Sequence, residues 1–169
     1  MILIGLGANL PSSAGPPEST ILAALAALES HDVHIVARSR LYVSEPVPPS
    51  DQPLFVNAVA IVTTTLTPER LLARLHEIEA SFGRVRRERN EARTLDLDLL
   101  DFNALVRDSG VAPVLPHPRL DRRAFVLAPL ADIAPEWHHP VSGRDAAELL
   151  AGLPDPDRAG ARPMTSNEA

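Results

Sequence analysis

With 169 residues and 45% hydrophobic composition, the chain can bury one sizeable core and is short for two ordinary domains. A net charge of −6 and a pI near 5.5 exclude general affinity for nucleic acid or anionic membrane, since both reward a broad positive excess. Cysteine is absent and all 16 basic residues are arginine, which excludes disulfides, thiolate chemistry, Schiff bases and any lysine phosphate clamp.

The chain opens on an apolar run from Ile2 to Ala8 that reads as a buried strand, broken by Asn9, Leu10 and Pro11 and a turn-rich stretch. The run has no cationic segment before it and is short for a signal peptide. No stretch reaches the roughly 20 apolar residues of a membrane span, so a cytoplasmic chain is expected. A helix follows, with Ile21, Leu22, Leu25 and Leu28 on one face and Pro16, Pro17 and Glu18 suiting its first turn. A second strand is predicted over 33–43. The prolines at 46, 48, 49 and 53 then make a stiff connection to a third strand, Phe55 to Thr64.

Thr67 and Pro68 predict an N-cap and first helical position, and Leu71, Leu72, Leu75, Ile78 and Phe82 form an apolar stripe that ends at Gly83. Beyond it lie Arg84, Arg86, Arg87, Arg89 and Arg93, running into Thr94, Leu95, Asp96, Leu97 and Asp98. Leu95 to Phe102 reads as a fourth strand with Leu95, Leu97 and Leu99 inward. The order βαββαβ predicts an α+β, ferredoxin-like antiparallel sheet with helices on one face and a C-terminal appendage. The appendage would contain a segment at 114–117, a short helical stretch near 122–129 and a further segment at 146–150. A single domain over 1–153 is expected, with proline, glycine and charge leaving 154–169 as a disordered tail.

Chemistry concentrates at the fourth strand. Alternate strand residues share a face, so Asp96 and Asp98 lie about 7 Å apart along the backbone, where two hard carboxylates can hold a divalent metal. Arg84 and Arg93 flank the neighbouring loop where the scaffold can position them against a polyphosphate, and the three arginines between them could swing as a lid. Asn57, inside an apolar strand, either caps local backbone or reads a planar polar ligand. Gly5 and Gly7 lack the third glycine of a dinucleotide fingerprint, and instead permit close approach of a ring to the strand. The adjacent His138 and His139 lack metal spacing and are expected at the surface.

Taken together, these segments resemble the 6-hydroxymethyl-7,8-dihydropterin pyrophosphokinase family of folate biosynthesis. The resemblance spans residues 4 to about 141. It is carried by Gly5 to Pro11; Asp51, Gln52 and Pro53 with Asn57 and Ala58; Ile78, Glu79 and Gly83 to Arg86; Arg93 to Asp98; and Pro116, His117, Arg123, Phe125, Pro129 and Leu130. It implies transfer of diphosphate from ATP to the pterin's hydroxymethyl group with release of AMP, and two Mg²⁺ ions held by Asp96 and Asp98. Arg84 and Arg93 would clamp the triphosphate, with His117 and Arg123 around the nucleotide and His76 and Glu79 lining its site. Asn57 and Asp96 would contact the pterin, Phe55 and Phe125 would sandwich its ring, and Ser44, Pro46 and Val47 would line its pocket.

Some positions depart from the family pattern. Residues 89–92 lack the tryptophan, glycine and proline often found before the equivalent of Arg93, and Glu45 stands where proline is common. The expected partners are ATP and the pterin, with no nucleic acid and no membrane, and the expected state is a monomer. A non-catalytic ferredoxin-like ligand sensor would not need the two aspartates. An RNA-binding module would want aromatic and basic residues on its central strands.

Overall fold

The computed structural model describes residues 1–30, 32–83, 93–108, 110, 112–158 and 160–165. Its centre is an antiparallel sheet in which β1 (Ile2–Ala8) lies between β4 (Phe55–Thr64) and β5 (Asp96–Phe102). On the far side of β4 the predicted second strand is two strands, β2 (Val33–Arg38) and β3 (Tyr42–Ser44), both paired with β4. Ser39 is the cause of the break. Its backbone N–H donates to the Val59 carbonyl at 2.9 Å while its hydroxyl accepts from the Val59 N–H at 3.0 Å. A side chain thus replaces a rung of the ladder, and the register shifts between Ile35 and Ala37.

Helices α1 (Pro17–Leu28) and α2 (Pro68–Ser81) cover one face. Proline opens each helix, where its missing N–H costs nothing, and the Thr67 side chain caps α2 by accepting from the Arg70 N–H. Period-two alternation sends Ile2, Ile4 and Leu6 of β1, Val56, Ala58 and Ala60 of β4, and Leu95, Leu97 and Leu99 into this core.

The opposite face is not left bare, which corrects the expectation of helices on one side with an appendage beyond. A 3-10 turn at Leu120–Arg122, α3 (Ala124–Ile133) and α4 (Ala146–Ala151) build a second core there with Leu3, Val59, Leu100 and Trp137. Helix α3 runs past Pro129: the lost hydrogen bond and the crowding of the proline ring against the preceding turn are offset by burial of Leu127 and Leu130 around it. Trp137 fixes this core to the sheet by donating from Nε1 to Asp101 at 2.7 Å. His139, expected at the surface, is 8% exposed, and its Nδ1 accepts from the Val141 and Ser142 N–H groups.

Part of the predicted disordered tail is structured. A helical turn, α5 (Asp155–Arg158), leads to β6 (Ala161–Pro163), which pairs with the exposed edge of β3. The unpaired backbone groups of that edge are satisfied by the strand, an outcome that composition does not register.

Asp132 of α3 accepts from the Tyr42 hydroxyl at 2.6 Å and from the Arg40 guanidinium at 2.8 Å, tying the second core to the β2–β3 corner. Burial pushes the Asp132 carboxyl up, but these bonds outweigh it and hold it below its ordinary value of 3.8. A depressed carboxylate stabilises the fold fully above its unfolded pKa and loses that contribution as pH falls through the folded value. Asp132→Asn is therefore expected to lower the urea midpoint at pH 7, with the gap to the parent narrowing as pH drops below about 3.8. A gap independent of pH would contradict this reading.

Candidate active site

The second face of the sheet is divided. At one end Leu3, Val59 and Leu100 are capped by α3 and α4, and at the other the same strands present Gly5 and Gly7, Asn57, and Asp96 and Asp98. A cleft opens there, lined on its floor by Gly5, Gly7 and Asn57 and at its charged end by Asp96, Asp98, Arg93 and Arg123. Gly7 pairs with Asn57 on one side and with Asp96 on the other, so the three form a row across β4, β1 and β5. Two inter-strand spacings put Asn57 and Asp96 about 10 Å apart.

The floor between them depends on glycine. A Cβ on Gly7 would lie 3.3 Å from Asn57 Oδ1, and one on Gly5 would lie 3.3 Å from a Leu100 methyl. The Asn57 amide is 4% exposed and donates from Nδ2 to the Ser44 hydroxyl at 2.9 Å. Phe55 and Phe125 both line the cleft and are half-buried; Pro46 and Val47 complete its rim, with Val47 68% exposed.

The charged end is built of carboxylate and guanidinium pairs. Arg93 is bonded to Asp96. Arg123 Nη1 donates to Asp98 Oδ2 at 3.2 Å, and its guanidinium lies 5.4 Å from the centre of the Phe125 ring. His117 Nε2 sits 3.9 Å from Asp98 Oδ1, while its Nδ1 accepts from the Arg119 N–H at 3.1 Å. That acceptor role puts the proton of a neutral His117 on Nε2, the nitrogen facing the aspartate. Burial holds the His117 pKa below its ordinary value; Asp98 pulls it up, and Arg123 and Arg119 push it down. The ring is therefore neutral at physiological pH and offers one N–H to the site.

Two candidates on α2 have other surroundings. Glu79 is 2% exposed, and its Oε1 accepts from the Leu97 N–H at 2.8 Å, so it braces β5 from below between the two aspartates. His76 is half-buried on the same helix. Neither lines the cleft. Arg84 and the remaining arginines of the loop, 86, 87 and 89, lie outside the described residues.

One residue beside the site carries the family resemblance and a turn in the sequence but no assigned role. Asn9 is 1% exposed; its Oδ1 accepts from the Arg93 N–H at 2.8 Å and its Nδ2 donates to Gln52 Oε1 and the Pro53 carbonyl. An asparagine directly after a buried strand is the sole local signal, and it does not distinguish a hub from a turn.

Comparison with known proteins identifies the family. The family model described as 7,8-dihydro-6-hydroxymethylpterin-pyrophosphokinase (HPPK) matches residues 3–135. The 2-amino-4-hydroxy-6-hydroxymethyldihydropteridine pyrophosphokinase of Pseudomonas aeruginosa is 46% identical over 154 residues, covering 90% of this chain and 91% of its own. The protein of the same name from Haemophilus influenzae is 41% identical over 133 residues, or 78% and 79% of the two chains. Among solved structures, wild-type Plasmodium falciparum HPPK-DHPS with SDX-DHP superposes with a TM-score of 0.63 at 16% identity. It covers 88% of this chain, which spans 42% of that longer one, and the likeness speaks for the fold alone. The match over most of its length and these full-length relatives establish that the chain belongs to the 7,8-dihydro-6-hydroxymethylpterin pyrophosphokinase family.

Proposed function

We propose that the cleft transfers the β,γ-diphosphate of ATP to the hydroxymethyl group of 6-hydroxymethyl-7,8-dihydropterin and releases AMP, as an ATP-dependent diphosphotransferase of folate biosynthesis. The row Asn57, Gly7, Asp96 carries this reading. A flat bicyclic ring laid across the glycine floor has its amide edge at Asn57 and its substituent at Asp96, which is the carboxylate nearest the reacting hydroxyl. The hydroxyl oxygen forms the new bond to the β-phosphorus, the bond between that phosphorus and the bridging oxygen breaks with the oxygen and its electron pair leaving on AMP, and the hydroxyl proton passes to solvent.

The donor set fits Mg²⁺. Asp96 and Asp98 are hard oxygen ligands whose side chains keep 21% and 32% exposure in the cleft. Among the described residues no group of three carboxylates or histidines forms a cage. That suits an ion which completes its octahedron with water and substrate phosphates. When bound at these two residues, a pair of Mg²⁺ ions would neutralise phosphate charge and polarise the β-phosphorus.

The protein's own groups align and stabilise. Arg93 and Arg123 each face an aspartate, so an incoming anionic triphosphate with its cations lets every carboxylate and guanidinium exchange one charged partner for another, and no buried charge is stranded. Arg84 is assigned to the same clamp from the sequence pattern. His117 donates from Nε2 to a phosphate oxygen. Phe55 and Phe125 close on the ring and exclude water, and Ser44 orients the Asn57 amide, with Pro46 and Val47 at the rim. Glu79, through the Leu97 N–H, holds the strand that presents both aspartates, and His76, three residues before it on α2, is assigned to the nucleotide site from the family resemblance. We read the sheet and its first two helices as a ferredoxin-like core acting as a cytoplasmic monomer. No described helix is long and apolar enough to cross a membrane.

A ligand sensor on the same fold would keep the floor and Asn57 but has no use for Asp96 and Asp98, which favours the enzyme. Incubation with ATP, Mg²⁺ and hydroxymethyldihydropterin should produce AMP in a coupled assay, strictly dependent on the pterin. No AMP, or ADP in its place, sinks the reading. Gly7→Val tests the floor. Valine suits a strand, but its Cβ would start 3.3 Å from Asn57 Oδ1, so pterin affinity should fall roughly tenfold or more with nucleotide affinity much less changed. Unchanged pterin binding would place the ring elsewhere.

A further inference from the structure

Asn9 stands outside the cleft yet touches the supports of both of its halves. Following β1, it takes Arg93 at two points: its backbone N–H donates to the Arg93 carbonyl at 3.1 Å, and its Oδ1 accepts from the Arg93 N–H at 2.8 Å. The Leu10 N–H adds a second bond to the same carbonyl at 3.2 Å. The two hydrogens on Asn9 Nδ2 go the other way, to Gln52 Oε1 at 3.2 Å and the Pro53 carbonyl at 3.1 Å. That turn leads directly into Phe55, the ring at the pterin end, while Arg93 is the residue paired with Asp96 at the phosphate end.

One buried amide therefore joins the segment that places the aromatic wall to the segment that places the guanidinium. No other side chain does this at the same length. Aspartate keeps the acceptor for Arg93 but loses both donors and sets a charge against the Pro53 carbonyl; serine carries a single donor; glutamine adds a methylene in a place with 1% exposure.

We infer that Asn9 is a positioning residue that makes the order of the 52–53 turn and of Arg93 a single event, so that filling the pterin half tightens the nucleotide half. The inference rests on the pyrophosphokinase reading above. Coupling of this kind is reciprocal, and its usual size is roughly fivefold to a hundredfold in affinity.

The test uses the full chain and calorimetric titration with Mg²⁺ and α,β-methylene ATP, which resists cleavage at the scissile bond, in the absence and presence of hydroxymethyldihydropterin. In the parent protein, the pterin should tighten nucleotide binding by about tenfold. Asn9→Asp keeps the grip on the Arg93 N–H, so nucleotide affinity alone should stay within about threefold while the enhancement by pterin disappears. Gln52→Ala removes one of the two arms on the turn and should reduce the enhancement partially. Asn9→Ala also deletes the acceptor of the Arg93 N–H, leaving only the backbone bonds to the Arg93 carbonyl, and should lower kcat for AMP formation at saturating substrates by about tenfold or more.

Persistence of the full enhancement in Asn9→Asp overturns the inference, as does its absence in the parent. If Asn9→Ala does not fold, the Asn9→Asp and Gln52→Ala titrations decide. A parent protein that makes AMP yet shows no coupling refutes the role of Asn9 alone. A parent that binds neither ligand and makes no AMP refutes the pyrophosphokinase reading, and the role of Asn9 falls with it.

Discussion

Asp98→Ala is expected to lower kcat for AMP formation by about three orders of magnitude or more, the scale on which charge stabilisation at a transferring phosphoryl group operates. Two effects combine. A hard oxygen ligand is lost, and Arg123, bonded to Asp98 at 3.2 Å with its side chain only 18% exposed, loses its carboxylate along with His117. The second effect could be mistaken for catalysis if it loosened the fold. Asp98→Asn separates them: its carbonyl oxygen still accepts from the Arg123 guanidinium, while the negative charge that attracts a cation is gone. Both variants should lose rate to a similar extent, and the asparagine form should melt within a few degrees of the parent. Turnover within tenfold of the parent in either folded variant would remove Asp98 from the metal site.

Asn57→Ala should cost pterin affinity and spare nucleotide affinity. The amide is 4% exposed, spends one Nδ2 hydrogen on the Ser44 hydroxyl at 2.9 Å, and has its Oδ1 beside the open floor at Gly7. Truncation leaves a buried hydroxyl without its donor and the ligand's polar edge without a partner. Unsatisfied groups of this kind cost about 1–3 kcal/mol each, so pterin binding should weaken roughly tenfold to a hundredfold. Titration of each ligand separately checks this. Equal losses in both affinities would make Asn57 a structural amide of β4 and leave the ring without its anchor.

Much of the site is legible in the chain because a strand's period is two. Once residues 95–102 are a strand, Leu95, Leu97 and Leu99 face the core, and Asp96 and Asp98 must share the other side. The same rule puts Gly5, Gly7 and Asn57 on that side, though pairing register, and with it the row from Asn57 to Asp96, comes only with the fold. Periodicity identifies a face but not what covers it. The second core on that face, assembled from Leu3, Val59 and a distant Trp137, therefore could not be read in advance.

Three other features depend on long-range hydrogen bonds. The Ser39 hydroxyl that splits the second strand, the Glu79 carboxylate that accepts from the Leu97 N–H, and the Asn9 amide each take a partner 18 or more residues away. Locally, each of these residues looks like an ordinary polar position. β6 is a similar case: Arg162 and Pro163 suggest a solvated tail until the open edge of β3 supplies the pairing.

The central claim is that both terminal phosphates of ATP move together onto the hydroxymethyl oxygen. Mass spectrometry of the pterin product after reaction with ATP and Mg²⁺ tests this directly. The account predicts a dihydropterin carrying an intact diphosphate, formed in equal amount with AMP. A pterin bearing a single phosphate with ADP as co-product, or ATP consumed with the pterin unchanged, would contradict it.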